Sequence, residues 1–228
     1  GALMHDLGMT LVDAHILEKK GPLSTGEHEQ IERHAEAGFN ILRAYRDLSI
    51  KSAHVAFQHH ERLDGSGYPR GLNSKDILDY AKIAAVADTF DALISDRPYR
   101  PAFLPVEALE ILKEEAGTKL DPNFAPLMSE IVVDYPTGCV VISHDGAIVN
   151  VSTPSRRGEP IRGLVIGSIS ERSWALVGKV AEIPRSSIRC GGTSLDNLAS
   201  RLKRRPEGVS SIAQIDCNLS LKALPPWQ

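Results

Sequence analysis

Histidine and aspartate recur in an unusual series along the first hundred residues: His5-Asp6, then His34, then His59-His60, then Asp88. Imidazole nitrogen and carboxylate oxygen together suit iron, manganese or zinc, and the lack of thiolate among them argues against a structural zinc. Six candidate ligands exceed what one four-coordinate ion needs, so the set implies two or more ions. Two metals about 3.5–4 Å apart can clamp the attacking and leaving oxygens of a phosphoryl displacement. An aspartate bridging two ions keeps them that close and offsets part of their repulsion. Any one of His5, His34 or His59 alone reads as an ordinary core or surface histidine, and Asp88 alone as a buried carboxylate paired with an arginine such as Arg97. Four histidines and two aspartates at inward positions are harder to accommodate in that way, because each buried polar group needs its own partner. One shared metal cluster satisfies them all. His15, His28, His54 and His144 lack this context.

The elements that must hold these residues are mostly helical up to about Asp134. Ser24 followed by Glu27 fits a capping box at a helix start, and Ile31, His34, Gly38, Ile41, Leu42 and Tyr45 then recur on one helix face, which turns His34 inward. A second helix is expected from Ser74 as N-cap to about Ser95, with an inward row of Ile77, Ala81, Ala84, Asp88 and Asp91. Between them, the Gly- and Pro-rich stretch from Asp64 to Asn73 must be a loop. Two further helices are expected over about 106–116 and 122–133. The character changes near Pro136-Thr137-Gly138. Val140–Ser143 and Ala147–Val151 flank an Asp145-Gly146 turn and predict a β-hairpin, with further β-rich runs at 163–166, 174–183 and 212–215. The fold class is therefore mainly α, a helical domain followed by a small β-rich C-terminal extension. The basic run of Arg201, Lys203, Arg204 and Arg205 reads as a solvated helix end or linker.

Composition sets the outer bounds. The chain has 228 residues, 42% of them hydrophobic, and a formal net charge of −3, so no global charge marks a nucleic-acid binder. No apolar run approaches the roughly 18 residues that cross a bilayer, and Gly1-Ala2-Leu3-Met4 is not a signal peptide. Cys139, Cys190 and Cys217 stand far apart and suit a reducing compartment. The expectation is a soluble cytoplasmic protein.

The order His5-Asp6-x-Gly8, Arg33-His34-x-x-x-Gly38, His59-His60-Glu61-x-x-Asp64-Gly65-x-Gly67-Tyr68-Pro69, Asp88-x-x-Asp91-Ala92-Leu93 and Arg97-Pro98-Tyr99-Arg100 resembles the HD-GYP subfamily of HD-domain phosphohydrolases. The long H-H-E-x-x-D-G-x-G-Y-P element carries most of the specificity. The resemblance implies an HD-type helical domain over 1–134 and assigns 135–228 to a β-rich extension, read as a packing appendage. It implies two or three divalent ions, iron or manganese before zinc, and hydrolysis of the bacterial second messenger cyclic di-GMP to pGpG or GMP. Position by position, His5, Asp6, His34, His59, His60 and Asp88 match metal ligands, with Asp6 the bridge and a catalytic group. Arg97 and Arg100 match positions that bind substrate phosphate. Tyr68 matches a contributor to catalysis and the substrate pocket, or to docking of a GGDEF-domain partner through Gly67-Tyr68-Pro69. Glu61, Asp64 and Asp91 match supporting groups that hold ligands and loop, while Gly65 and Gly67 read equally as loop hinges or ordinary turn glycines.

The chain departs from the family pattern in two places. A lysine is expected after His-Asp-x-Gly, where this chain has Met9; losing one charge-assisted contact costs on the order of 1.5–3 kcal/mol. The pair His5-Asp6 lies almost at the chain start, so the family's preceding helices and a ligand they carry are expected to be missing, as in an N-terminally truncated domain. A degenerate module that binds cyclic di-GMP or a GGDEF-type partner without turnover is the alternative.

Overall fold

The computed structural model describes residues 1–19, 21–97, 100–170 and 176–203, with the side chains of 201–203 left aside. It divides into two compact units. One comprises Gly1–Ala92 and Leu112–Met128; the other comprises Leu93–Ile111 and the described residues from Ser129 on.

The first unit begins with two 3-10 turns, Ala2–Met4 and Leu7–Leu11, which bracket His5 and Asp6. A short helix α1 follows (Ala14–Leu17), then α2 (Thr25–Arg43), α3 (Ile50–Gln58), α4 (Asp79–Ile94) and α5 (Pro105–Glu115), which passes into the second unit. The expected capping box is present at α2: Ser24 Oγ accepts from Glu27 N, and the Glu27 carboxylate accepts from Ser24 N at 2.6 Å. Both orphan amides of the first turn are thereby satisfied. Leu42 of α2 packs with Ala53 and Ala56 of α3, and Met4, Leu7, Phe39 and Leu48 close around them. The N-terminal turn lies directly on α2. A Cβ on Gly8 would come within 2.0 Å of the His34 carbonyl oxygen and 2.6 Å of Gly38 N, so only glycine permits the approach.

Four expectations for the helical part need correction. Helix α2 ends at Arg43, which leaves Tyr45 60% exposed rather than on the inward face. Helix α4 starts at Asp79, not after Ser74, because residues 74–77 are held as turn and bend: Ser74 N donates to Leu63 O, and Leu78 N to the buried Gln58 side chain. Asp91 is exposed, so Asp88 alone supplies a carboxylate to the inward row of α4, beside Ala81, Ala84 and Ala85. The expected helix over 122–133 breaks into a 3-10 turn (Ala125–Leu127) and α6 (Met128–Ile131). Pro126 lacks an N–H and disfavours helical backbone at the residue before it.

The second unit is a five-stranded antiparallel sheet of order β4-β3-β2-β1-β5, built from β1 (Val140–Ser143), β2 (Ala147–Thr153), β3 (Ile161–Ser168), β4 (Val180–Ile183) and β5 (Ile188–Gly192). The β1–β2 hairpin turns at Asp145-Gly146 as expected, with Gly146 at φ 93°. One face buries Val141, Val149, Val151, Ile161 and Val165 against Leu104 and Tyr135. On the other, Val140 and Ile142 pack against Leu198 of α7 (Leu195–Lys203). Strand β5 and helix α7 were not anticipated. The run expected at 163–166 lies inside β3, the one at 174–183 contains β4, and the one at 212–215 lies outside the described residues, as do Arg204 and Arg205. The mainly α reading with a β-rich C-terminal part thus holds. No helix among the described residues is long and apolar enough to cross a membrane.

Candidate metal centre

The packing of the first unit carries the six expected ligands to one place. His5 and Asp6 come from the N-terminal turn, His34 from α2, His59 and His60 from the end of α3, and Asp88 from α4. Two groups form within it, Asp6 with His34, His59 and His60, and Asp6 with His5 and Asp88; in each, the candidate ligand atoms lie within 4.8 Å of one another. Asp6 is common to both. Its Oδ1 is 3.4 Å from His34 Nε2 and 3.5 Å from His59 Nε2, and its Oδ2 is 3.3 Å from His5 Nε2. Asp88 lies 3.7 Å from His5 Nε2 and 3.8 Å from His60 Nδ1.

Backbone contacts decide which ring nitrogens face this centre. Nδ1 of His5 lies 2.7 Å from Ala2 O, Nδ1 of His34 2.5 Å from Ile31 O, and Nδ1 of His59 2.9 Å from Ala56 O. A carbonyl oxygen only accepts, so each Nδ1 carries a hydrogen and each ring turns its Nε2 toward the centre, where that nitrogen is free to ligate once it carries no proton. His34 Nε2 and His59 Nε2 are 3.3 Å apart. Two lone pairs and a carboxylate oxygen facing one another at that distance repel unless a cation lies among them. His5 Nε2 is sealed from solvent, and the groups that face it are the carboxylates of Asp6 at 3.3 Å and Asp88 at 3.7 Å. Buried acceptors left in this state are costly, and a divalent ion is the ligand this donor set fits.

The electrostatics agree. The flanking Asp6, then Asp88, push the His5 imidazole up to about 10, so the carboxylates demand positive charge beside them. Burial opposes ionisation of Asp6, yet the imidazoles of His34, His5 and His59 hold its carboxyl far below the usual range. Burial keeps His60 well below its ordinary value, reinforced by the neighbouring His59, His34 and Arg62.

The loop after His60 is held by its own carboxylates. Glu61 is buried, and its two oxygens accept from Arg70 N at 2.9 Å and Leu72 N at 2.8 Å. Asp64 accepts from Ser66 N and Oγ. Gly65 has φ 79°, and a Cβ on Gly67 would come 2.3 Å from His60 O, so both glycines are required by geometry. The Tyr68 ring stacks on His60 with centroids 4.6 Å apart, and burial raises its phenol so that it stays protonated. Arg97 and Arg100 lie in the second unit, paired by reciprocal backbone hydrogen bonds. Arg97 is exposed, while Arg100 Nη1 donates to Leu93 O and Pro101 O, and its guanidinium lies 4.5 Å over Phe103. Arg62, which the sequence did not single out, is 5% exposed; its only sequence signal was its place between Glu61 and the loop.

A family profile described as HD domain matches residues 1–124. The chain is 36% identical over 146 residues to a protein of Pseudomonas aeruginosa named cyclic di-GMP phosphodiesterase, covering 64% of this chain and 35% of that one. It is 43% identical over 128 residues to the 3'3'-cGAMP-specific phosphodiesterase 3 of Vibrio cholerae, covering 55% and 27%. It is 37% identical over 167 residues to a cyclic di-GMP phosphodiesterase of Thermotoga maritima, covering 71% and 45%, a match that runs past residue 124 into the β-rich part. The chain thus spans less than half the length of each of these relatives. The family match over more than half of the chain, and these relatives, bear out the HD-GYP resemblance: the chain belongs to the HD-domain family.

Proposed function

We propose that this chain is the catalytic part of a metal-dependent phosphodiesterase that opens a cyclic dinucleotide, cyclic di-GMP first, to pGpG and then GMP. The observation that carries this reading is Asp6 standing in both candidate ligand groups, beside the solvent-sealed Nε2 of His5. His34, His59, His60 and Asp6 would hold one ion, and His5, Asp6 and Asp88 a second, with iron or manganese favoured by the mixed nitrogen and oxygen donors. Divalent ions held there would polarise a phosphoryl oxygen and make water a competent nucleophile near neutral pH. The chain's own residues do the rest. Asp6 spans the two positions, Glu61 ties down the loop, and Tyr68, protonated and stacked on His60, offers a hydrogen-bond donor to substrate or leaving oxygen. That stacking favours Tyr68 as a pocket residue over one that docks a GGDEF-domain partner. Arg97 and Arg100 are assigned to phosphate contact by resemblance. A cytoplasmic setting accompanies this reading, since cyclic di-GMP is an intracellular messenger.

The hybrid dinucleotide 3'3'-cGAMP is a second substrate to weigh, because relatives carrying that name match at 36% to 43% identity. Met9, at the expected lysine, favours the further reading of binding without turnover. The test is incubation of iron- or manganese-loaded protein with each dinucleotide. Linear product above a chelated control is expected, and binding without product would replace hydrolysis by the non-enzymatic reading.

A further inference from the structure

Arg62 is a buried cation with no counter-charge among the described residues. It is 5% exposed, and among the described residues its side-chain hydrogen bonds run from Nη1, to His59 O at 3.3 Å and Glu61 O at 3.4 Å. Neither contact is short, and both acceptors are neutral carbonyls. The adjacent carboxylate, Glu61, is committed to Arg70 N and Leu72 N. Among the described residues no carboxylate pairs with Arg62. None of its nitrogens is both sealed from solvent and unpartnered, so the Nε–Nη2 edge keeps an opening. Arg62 follows His60 by two residues and its Nη1 rests on the His59 carbonyl, so the guanidinium lies beside two of the candidate ligands.

Holding the carbonyls at the end of α3 is a sufficient use for Nη1, since a cation there also complements the helix dipole. It leaves the other edge of the fork idle in a position where a buried unpaired charge is expensive. A planar pair of N–H donors matches the two oxygens of a phosphate. The centre itself presents two carboxylates, Asp6 and Asp88, and Met9 adds no positive charge beside them. We propose that Arg62 is a substrate-contact residue, whose Nε–Nη2 edge receives a non-bridging oxygen of the phosphodiester while Nη1 stays on the His59 and Glu61 carbonyls. The assignment rests on the phosphodiesterase reading for the identity of the ligand, but it can be tested with inorganic phosphate alone.

The experiment compares the metal-loaded full chain with Arg62→Gln and Arg62→Lys, measuring calorimetric affinity for inorganic phosphate, ions per chain, and melting temperature without phosphate. Loss of one charge-assisted contact predicts phosphate binding weaker by about tenfold or more in Arg62→Gln, with ion content unchanged. Arg62→Lys keeps a charge that can reach the carbonyls but not the bidentate fork, so a folded Lys variant with intermediate affinity supports the proposal even where Gln fails to fold. Unchanged phosphate affinity in a folded variant, or a wild type that binds no phosphate, overturns it. With cyclic di-GMP the two readings separate: a raised KM in Arg62→Gln is expected. Turnover with an unaltered KM would sink the Arg62 contact alone. Arg62-dependent phosphate binding in a wild type without turnover would sink the phosphodiesterase reading alone.

Discussion

Asp6 is half exposed, yet three imidazoles hold its carboxyl ionised against the cost of partial burial. An ionised carboxylate at that place is what the proposed sharing of Asp6 between two ions requires. Because both ligand groups depend on it, Asp6→Asn should remove more than a single ligand's share. Elemental analysis is expected to show ion content falling from two or more per chain to below one. Hydrolysis should fall by roughly a hundredfold or more, equivalent to about 3 kcal/mol of transition-state stabilisation. Retention of two ions in Asp6→Asn would show that the carboxylate bridges nothing. The ring nitrogens repeat the point: His5, His34 and His59 each spend Nδ1 on a carbonyl three residues back, so the helix or turn that carries the ring also sets its tautomer.

At the scale of elements, α2 and the N-terminal turn position half of the centre. The turn reaches α2 only because Gly8 and Gly38 have no side chains at the crossing. The start of α2 is set by its capping box, where the Glu27 carboxyl is drawn down to about 2 from its ordinary 4.5, first by Lys19 and then by Ser24. A lowered carboxyl contributes stability that is complete above 4.5 and is lost as pH falls through about 2. Denaturant midpoints of the wild type should therefore decline more steeply than those of Glu27→Gln between these two pH values, while the two converge at lower pH. Parallel decline would show that the Lys19 and Ser24 contacts do not favour the ionised form. The loop after α3 has a different support, since Glu61 replaces an apolar core with two backbone hydrogen bonds.

At the scale of the whole molecule, the two compact units call for different forces. The sheet unit has an apolar core of Val141, Val149, Val151, Ile161 and Val165, whereas the first unit buries a cluster of imidazoles that a metal ion would satisfy. Ions that bind only the folded first unit stabilise it by mass action, about 2.7 kcal/mol at a hundred times the dissociation constant. Chelation is thus expected to lower the melting of the helical unit by several degrees and to leave the sheet unit's transition in place, as read by scanning calorimetry. Equal melting with and without chelator would argue against ion binding at the His and Asp cluster.

The sequence alone named the candidate ligands and determined the capping box, the Asp145-Gly146 hairpin and the family, because each is written in residues close together or at a helix period. It misplaced the start of α4, put Asp91 and Tyr45 inward, and ran one helix through 122–133; at the α4 start and in 122–133, Gln58, Leu63 and Pro126 act through contacts or backbone limits that periodicity does not register. Only the tertiary structure decided that Asp6 stands in both ligand groups, that His34 and His59 turn their Nε2 atoms on one another, and that Arg62 is buried without a counter-charge among the described residues. The first two depend on distances between segments 25 or more residues apart, which arise from packing separate elements together rather than from any local pattern.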